Sequence, residues 1–164
     1  MKLPSLFTRD PPPAEAEPTE PEPQPIRLIM AGHDLVGWIE PGEERVSDLL
    51  QRGNPLSFLP GGRSPARWIS LDPAELLVVV PPPHVSPPER RLQRQRHEVM
   101  IRIGGWIVAG TAHLMPGEEY DPYLRSTRQF LPLTEATLGK DGDERQLFDT
   151  LIVNLKRIDE FHVG

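Results

Sequence analysis

Two proline-rich stretches limit which parts of this chain can fold. Of the 21 prolines, eight lie within residues 1–25 and five lie between Pro81 and Pro88. Proline fixes φ and removes a backbone donor, so neither stretch suits a helix interior or a central strand. We therefore expect two folded modules, residues 26–80 and 98–164, joined by a linker over residues 81–97.

Residues 1–25 form the first of these stretches and end in "PPPAEAEPTEPEPQP". The segment holds too few apolar residues to offset the entropy cost of ordering it, which predicts a disordered N-terminal arm. Proline-rich segments also serve as docking peptides, so recognition by a partner protein is the alternative for this arm.

The linker contains "ERRLQRQRHE" and is the basic part of a chain whose net charge is −6. We expect a solvated connector with a short helix over Glu89–His97, after Pro88. The alternative is a phosphate-binding cluster, because arginine side chains pair with phosphate groups. Its candidate residues are Arg90, Arg91, Arg94 and Arg96.

The two modules share a sequence pattern. "IRLIMAGHDLVGWI" from Ile26 aligns without gaps on "VMIRIGGWIVAGTA" from Val99. "PGEE" follows at 41–44 and again at 116–119, then "SFLP" matches "QFLP", and "LLVVV" at 76–80 matches "LIVNL" at 151–155. Several features in the same order indicate a tandem duplication.

Each module shows the same local signals. Alternating apolar residues predict strands with one buried face, and Gly32 and Gly105 predict hairpin turns. Gly37 and Gly110 lie inside the second strands, where glycine marks a bulge or a close backbone approach. The acidic "PGEE" turns precede a short helix, and the positive end of a helix favours such charges.

These signals predict a mainly β (α+β) fold made of two tandem β-β-short α-β-β modules. A module of this size buries too little surface alone. We therefore expect the two to pack as a pseudo-twofold body, either a small barrel or a sandwich, that covers their exposed edges.

Four short motifs follow one another along the chain: "RVSDLL", "FLP", "FLPLT" and a final "VN". They resemble an uncharacterised bacterial β-rich domain that has the motifs Arg-x-Ser-Asp-x-Leu, Phe-Leu-x-Leu-Thr and Val-Asn. Here the features are divided between Arg45–Asp48 in the first module and Phe130–Thr134 in the second. The resemblance implies a small β-rich module of unknown function. It brings no catalytic residues with it.

No reactive constellation recurs in the two modules. The chain has no cysteine, its five histidines lack zinc-site spacing, and its glycine pairs lack the residues of a phosphate loop. We expect no catalytic residue, no metal site and no cofactor. The three tryptophans are expected in the core, with Trp106 the most accessible and a candidate partner-binding residue.

These observations favour a non-enzymatic binding or scaffold protein that contacts another protein or a second copy of itself. The alternative is a small-barrel nucleic-acid binder, Sm-like or OB-like, that uses the linker arginines with Trp106. A third hypothesis is an enzyme with carboxylate chemistry at the acidic turns. No secretory signal or membrane span is predicted, so we expect a cytoplasmic protein without membrane contact.

Overall fold

The computed structural model describes residues 22–41, 44–62, 65–83, 94–114, 116 and 128–164. These residues are mainly β and form ten strands and one α-helix. The strands are β1 (Gln24–Met30), β2 (His33–Ile39), β3 (Leu56–Pro60), β4 (Ile69–Leu71), β5 (Leu76–Val80), β6 (Gln95–Ile103), β7 (Trp106–Leu114), β8 (Phe130–Lys140), β9 (Gln146–Asn154) and β10 (Glu160–Val163). The helix α1 (Val46–Gln51) lies between β2 and β3.

All ten strands belong to one antiparallel sheet with the order β10-β6-β7-β8-β9-β5-β1-β2-β3-β4. The sheet is open, since β10 and β4 lie at its two ends. The mainly β prediction is confirmed, and the predicted small closed barrel is not.

Both halves of the sheet have the same internal order. In the first half, β1 to β4 follow one another and β5 pairs with β1; in the second, β6 to β9 follow one another and β10 pairs with β6. The halves meet through unlike strands, β9 and β5. A twofold axis would instead bring like strands together, so the predicted pseudo-twofold packing is not confirmed.

Each half has a fifth strand, which the β-β-short α-β-β prediction lacks in the first module and allows as a further strand in the second. A short 3₁₀ turn precedes it in both halves: Pro73–Glu75, capped by Asp72, and Leu155–Arg157, capped by Asn154. Counted from these caps, β5 corresponds to β10. The sequence match of "LLVVV" with "LIVNL" is therefore wrong as a structural equivalence, because β5 follows the 3₁₀ turn of its half and β9 precedes that of its own.

Two hydrophobic cores lie on opposite faces of the central strands. On β1, for example, Leu28 belongs to one core and the next residue, Ile29, to the other, and successive strand residues point to opposite faces. Core 1, on the α1 side, contains Ile26, Leu28, Ile39, Val46, Leu50, Leu56, Phe58, Leu76, Val79, Phe130 and Ile152. Core 2 contains Ile29, Leu77, Val78, Val99, Ile101, Ile103, Val108, Ala112, Leu114, Leu131, Leu133, Ala136, Leu138, Leu151, Val153 and Leu155.

The second half of the sheet curls over core 2. The guanidinium of Arg27 on β1 lies 6.0 Å from the ring centroid of Trp106 on β7. Three strands separate β1 from β7 in the sheet order, so the contact requires a curved sheet. Twisted, curved sheets bury more of one face than flat ones.

The glycines predicted to shape the hairpins do so. Gly104 and Gly105 both have positive φ and form the two-residue turn between β6 and β7. In the second strands, a Cβ on Gly37 would lie 2.6 Å from the ring of Phe58, and one on Gly110 would lie 3.0 Å from Ala136. The prediction of close approaches is confirmed at both positions.

Helix α1 covers the core 1 side of the first half. Val46 and Leu50 are buried, and the Gln51 side chain accepts hydrogen bonds from the backbone of Gln129 and Phe130 at the start of β8. The helix begins after Arg45 without a side-chain cap. The predicted arm, the linker as far as Leu92 and Gln93, and the second short helix lie mostly outside the described residues.

Candidate functional site

Trp106 stands between two cations at the start of β7. Lys140 Nζ lies 5.0 Å from the ring centroid on one side and Arg27 approaches from the first half. The ring is only half exposed and packs against core 2. Trp106 is thus the least exposed of the three tryptophans, contrary to the expectation from sequence.

Arg27 is itself held by Asp34 on the neighbouring strand. Its Nε and Nη2 donate hydrogen bonds of 2.9 and 2.7 Å to the two carboxylate oxygens of Asp34. These bonds, with the nearby charge of Lys140, lower the pKa of Asp34, and the Arg27 pKa is raised in return. The group of charges around Trp106 therefore consists of two cations and one anion, and Asp34 offsets one of the two positive charges.

Two of the four candidate arginines lie in the described part of the chain. Arg96, on β6, forms an exposed ion pair of 3.2 Å with Glu135, and Arg94 precedes the strand in an exposed position. Arg90 and Arg91 lie outside the described residues. The predicted helix after Pro88 does not extend to His97, because β6 begins at Gln95.

His113 lies opposite Arg96 on β7. Its Nε2 is 2.8 Å from the hydroxyl of Thr134. Partial burial lowers the pKa of His113, and the positive charges of Arg96 and Arg94 lower it further against the opposing effect of Glu135. The arginine end of the second half therefore favours a neutral imidazole.

Most of the exposed large apolar side chains among the described residues lie in the first half of the sheet. Val36 is 62% exposed, and Trp38 and Trp68 are 41% and 43% exposed. Trp38 pairs with Leu59 on β3. Trp68 immediately precedes β4, whose first residue, Ile69, pairs with Phe58 on β3. We call Val36, Trp38, Leu59 and Trp68 the tryptophan face.

The tryptophan face adjoins the free edge of β4. Among the described residues β4 pairs only with β3, so its outer backbone groups have no strand partner. Ile69 on this strand is exposed, and the exposed carboxylates of Asp72 and Glu75 follow it. Apolar and acidic groups therefore lie side by side along this edge.

A shallow groove of about 470 Å³ crosses the outer face of the second half over Gly110. Its polar walls include Glu98, Glu135, Thr137 and His162. Within the described ranges, no three side chains of His, Asp or Glu come close enough together to hold a metal ion. Of the acidic "PGEE" turns, Glu44 forms an ion pair with Arg52, and Glu43 and the whole second copy after Pro116 are not described.

Sequence reasoning missed both the tryptophan face and the β4 edge. A tryptophan in a strand predicts burial, and only its neighbours across the sheet decide whether its ring is covered. The sequence signal is "RWISLD", in which Trp68, Ile69 and Leu71 are apolar and the acidic Asp72 follows directly after Leu71.

No family model, curated protein or solved structure matches this chain. The resemblance to an uncharacterised bacterial domain thus stays a prediction. In the described part of the chain, no helix is both long and apolar enough to span a bilayer.

Proposed function

We propose that this chain is a non-enzymatic binding or scaffold protein that contacts another protein through the tryptophan face and the β4 edge. The observation that carries the proposal is the exposure of Val36 and Trp38 on β2 and of Trp68 just before β4, a strand whose outer side has no partner among the described residues. Exposed apolar patches rimmed by polar residues mark interaction sites, and tryptophan supplies much of the binding energy at interfaces.

The chemistry of this surface favours an extended partner segment with apolar and basic residues. A peptide added to a sheet edge gains main-chain hydrogen bonds, while its alternate side chains enter neighbouring pockets. Trp68 and Ile69 would contact the apolar residues of such a segment. Asp72 and Glu75 would pair with its basic residues and raise its association rate.

The test is affinity capture from the native cell, followed by titration with the captured protein after purification. The variant Trp38→Ser/Trp68→Ser should weaken binding by roughly tenfold or more, as expected when anchor residues are removed. Leu147→Ser is the matched control, because Leu147 is 72% exposed on β9 in the other half of the sheet. Equal affinity for the wild type and the tryptophan variant would contradict the proposal.

Nucleic-acid binding through the arginines is the competing outcome of the same experiment. It has less support, because Arg96 is paired with Glu135 and the sheet is open rather than a small barrel. Salt-dependent binding of a single-stranded oligonucleotide that is lost in Arg94→Ala/Arg96→Ala would favour it over protein binding.

We also interpret the two halves as a tandem duplication of one module, within the bounds 26–80 and 98–164 predicted from sequence. The recurring strand order and the matching glycines Gly37 and Gly110 support this interpretation. A surface for the partner would then exist on one module only, since the tryptophans at 38 and 68 have no counterpart in the other.

A further inference from the structure

The two free edges of the sheet, β4 and β10, correspond to the two strands that join its halves. β4 and β9 are each the fourth strand of their half, and a capped 3₁₀ turn follows each: the cap is Asp72, directly after β4, and Asn154, the last residue of β9. β5 and β10 each pair with the first strand of their half. A second copy of the chain could therefore place its β10 against β4, as β5 lies against β9.

Inside the chain, the join of β5 with β1 and β9 is apolar on both faces of the sheet. Val78 pairs with both Ile29 and Val153 on the core 2 face. Val79 pairs with both Leu28 and Ile152 on the core 1 face. All six side chains are essentially buried, so the join is part of the hydrophobic cores.

The residues at the corresponding positions of the free edges, on β10 and β4, include charged and polar side chains. Glu160 on β10 takes the place of Val78, and it pairs with Arg102, whose Nε lies 3.5 Å from its Oε2. Leu71 takes the place of Val153 and Ser70 that of Ile152, both on β4. A second copy joined at these edges would place the Glu160–Arg102 ion pair beside Leu71 and remove part of its hydration, which opposes the pairing.

The side chains at the 3₁₀ turn that follows the fourth strand also differ between the β9–β5 join and the free β4 edge. The Asn154 amide donates hydrogen bonds to the carbonyl oxygens of Ala74 and Leu76, and Arg157 Nε donates to Ala74 at 2.9 Å. At the β4 edge the corresponding side chains are Asp72 and Glu75. An ionised carboxylate has no hydrogen to donate, so it would leave the carbonyl oxygens of a second copy unpaired and would repel them.

We propose that the β4 edge of one copy of this chain matches the β10 edge of a second copy in strand order, and that Asp72, Glu75 and Glu160 prevent the two edges from pairing. The wild-type chain is then unable to extend its sheet head to tail, although its strand order would allow it. Charged residues on edge strands are a general means of preventing such pairing. This inference is independent of the proposed partner protein, and it excludes a second copy as the occupant of the β4 edge.

The test restores at the free edges the residues found at the internal join. Asp72→Asn, Glu75→Arg and Glu160→Val are combined, and sedimentation velocity is recorded over a wide concentration range. The wild type should stay monomeric, while the triple variant should reach at least twice the monomer mass as its concentration rises. The control is a second triple variant with the same types of change at exposed positions elsewhere, Asp143→Asn/Glu144→Arg/Glu22→Val. This control should remain monomeric.

The register of the new contact is tested with cysteines, because the chain contains none of its own. In the Asp72→Asn/Glu75→Arg background, a copy carrying Leu71→Cys is mixed with one carrying Glu160→Cys. Paired strand positions allow a disulfide, so a mixed dimer should form on oxidation.

Three outcomes would overturn the proposal. The triple variant could stay monomeric with an unchanged circular dichroism spectrum, or it could assemble without forming the disulfide between positions 71 and 160. The wild type could also self-associate and lose that association in Ile69→Lys, a change at the β4 edge.

Discussion

Nδ2 of Asn154 lies 2.8 Å from the carbonyl oxygen of Leu76 and ties the end of β9 to the start of β5. The same nitrogen lies 3.3 Å from the carbonyl oxygen of Ala74, while its own Oδ1 accepts from the backbone of Lys156. One fully buried amide thus caps a 3₁₀ turn in its own half and satisfies two backbone acceptors in the other.

Asn154→Asp should destabilise the protein by about 1–3 kcal/mol, because it keeps the cap acceptor and removes the donor to buried carbonyl oxygens. Urea denaturation measures the change in the free energy of unfolding. Asp72→Asn is the matched control, since it makes the reverse exchange at an exposed cap and should change stability by less than about 0.5 kcal/mol. Similar effects of the two exchanges would show that the internal hydrogen bonds contribute little.

Gly37→Ala should also destabilise the protein. The new Cβ would collide with the backbone carbonyl oxygen of Leu59 on β3 and would lie 2.6 Å from the ring of Phe58, a buried core 1 residue. Overpacking of this kind costs roughly 1–3 kcal/mol. Val36→Ala, next to it on the exposed face, is the control, and a midpoint in urea as low as that of Gly37→Ala would contradict the explanation.

The Arg27–Asp34 ion pair should make stability depend on acid pH. Because the pKa of Asp34 is lowered in the folded state, the pair contributes stability above 3.8, the ordinary pKa of the carboxyl. That contribution is lost as the pH falls through the lower folded-state pKa. A double-mutant cycle with Arg27→Gln and Asp34→Asn should give a coupling of up to about 1 kcal/mol at neutral pH, as for other partly exposed pairs. A coupling that persists in strong acid would refute the assignment.

His113 should respond in a different pH range. Its pKa lies below 6.5 in the folded state, so the fold favours the neutral ring. The resulting stability is present above 6.5 and is lost as the pH falls through the folded-state value. In a titration followed by NMR, Arg94→Gln/Arg96→Gln should raise the pKa of His113, while Arg67→Gln in the other half should leave it unchanged. No rise in the first variant would mean that burial alone sets the value.

Much of the strand pattern could be predicted from local sequence. The alternation over β1 and β6 and the glycines at 32 and 105 specify hairpins by themselves, because side-chain period and positive φ are local properties. The strands' neighbours were harder to predict. β5 and β9 are alike in sequence because both are buried on two faces, and this shared environment made them look like equivalent strands.

The surfaces proposed for binding could not be read from residue types. Trp106 is half covered because the curvature of the sheet brings β7 towards Arg27 on β1, while Trp38 on β2 stays exposed. Such a difference depends on contacts between residues far apart in the chain. Arg96 could likewise not be recognised as paired until the sheet placed Glu135 on β8, one strand beyond the neighbouring β7.

The join between unlike strands gives the sheet a polarity, with a fourth strand at one end and a fifth strand at the other. Symmetry does not fix the length of such an assembly, in contrast to a closed twofold pair. A third unit inserted between the halves would meet matching strands on both sides and leave the outer edges as they are. The number of units in this architecture is therefore open to change by duplication, while a few side chains at the ends determine where the sheet stops.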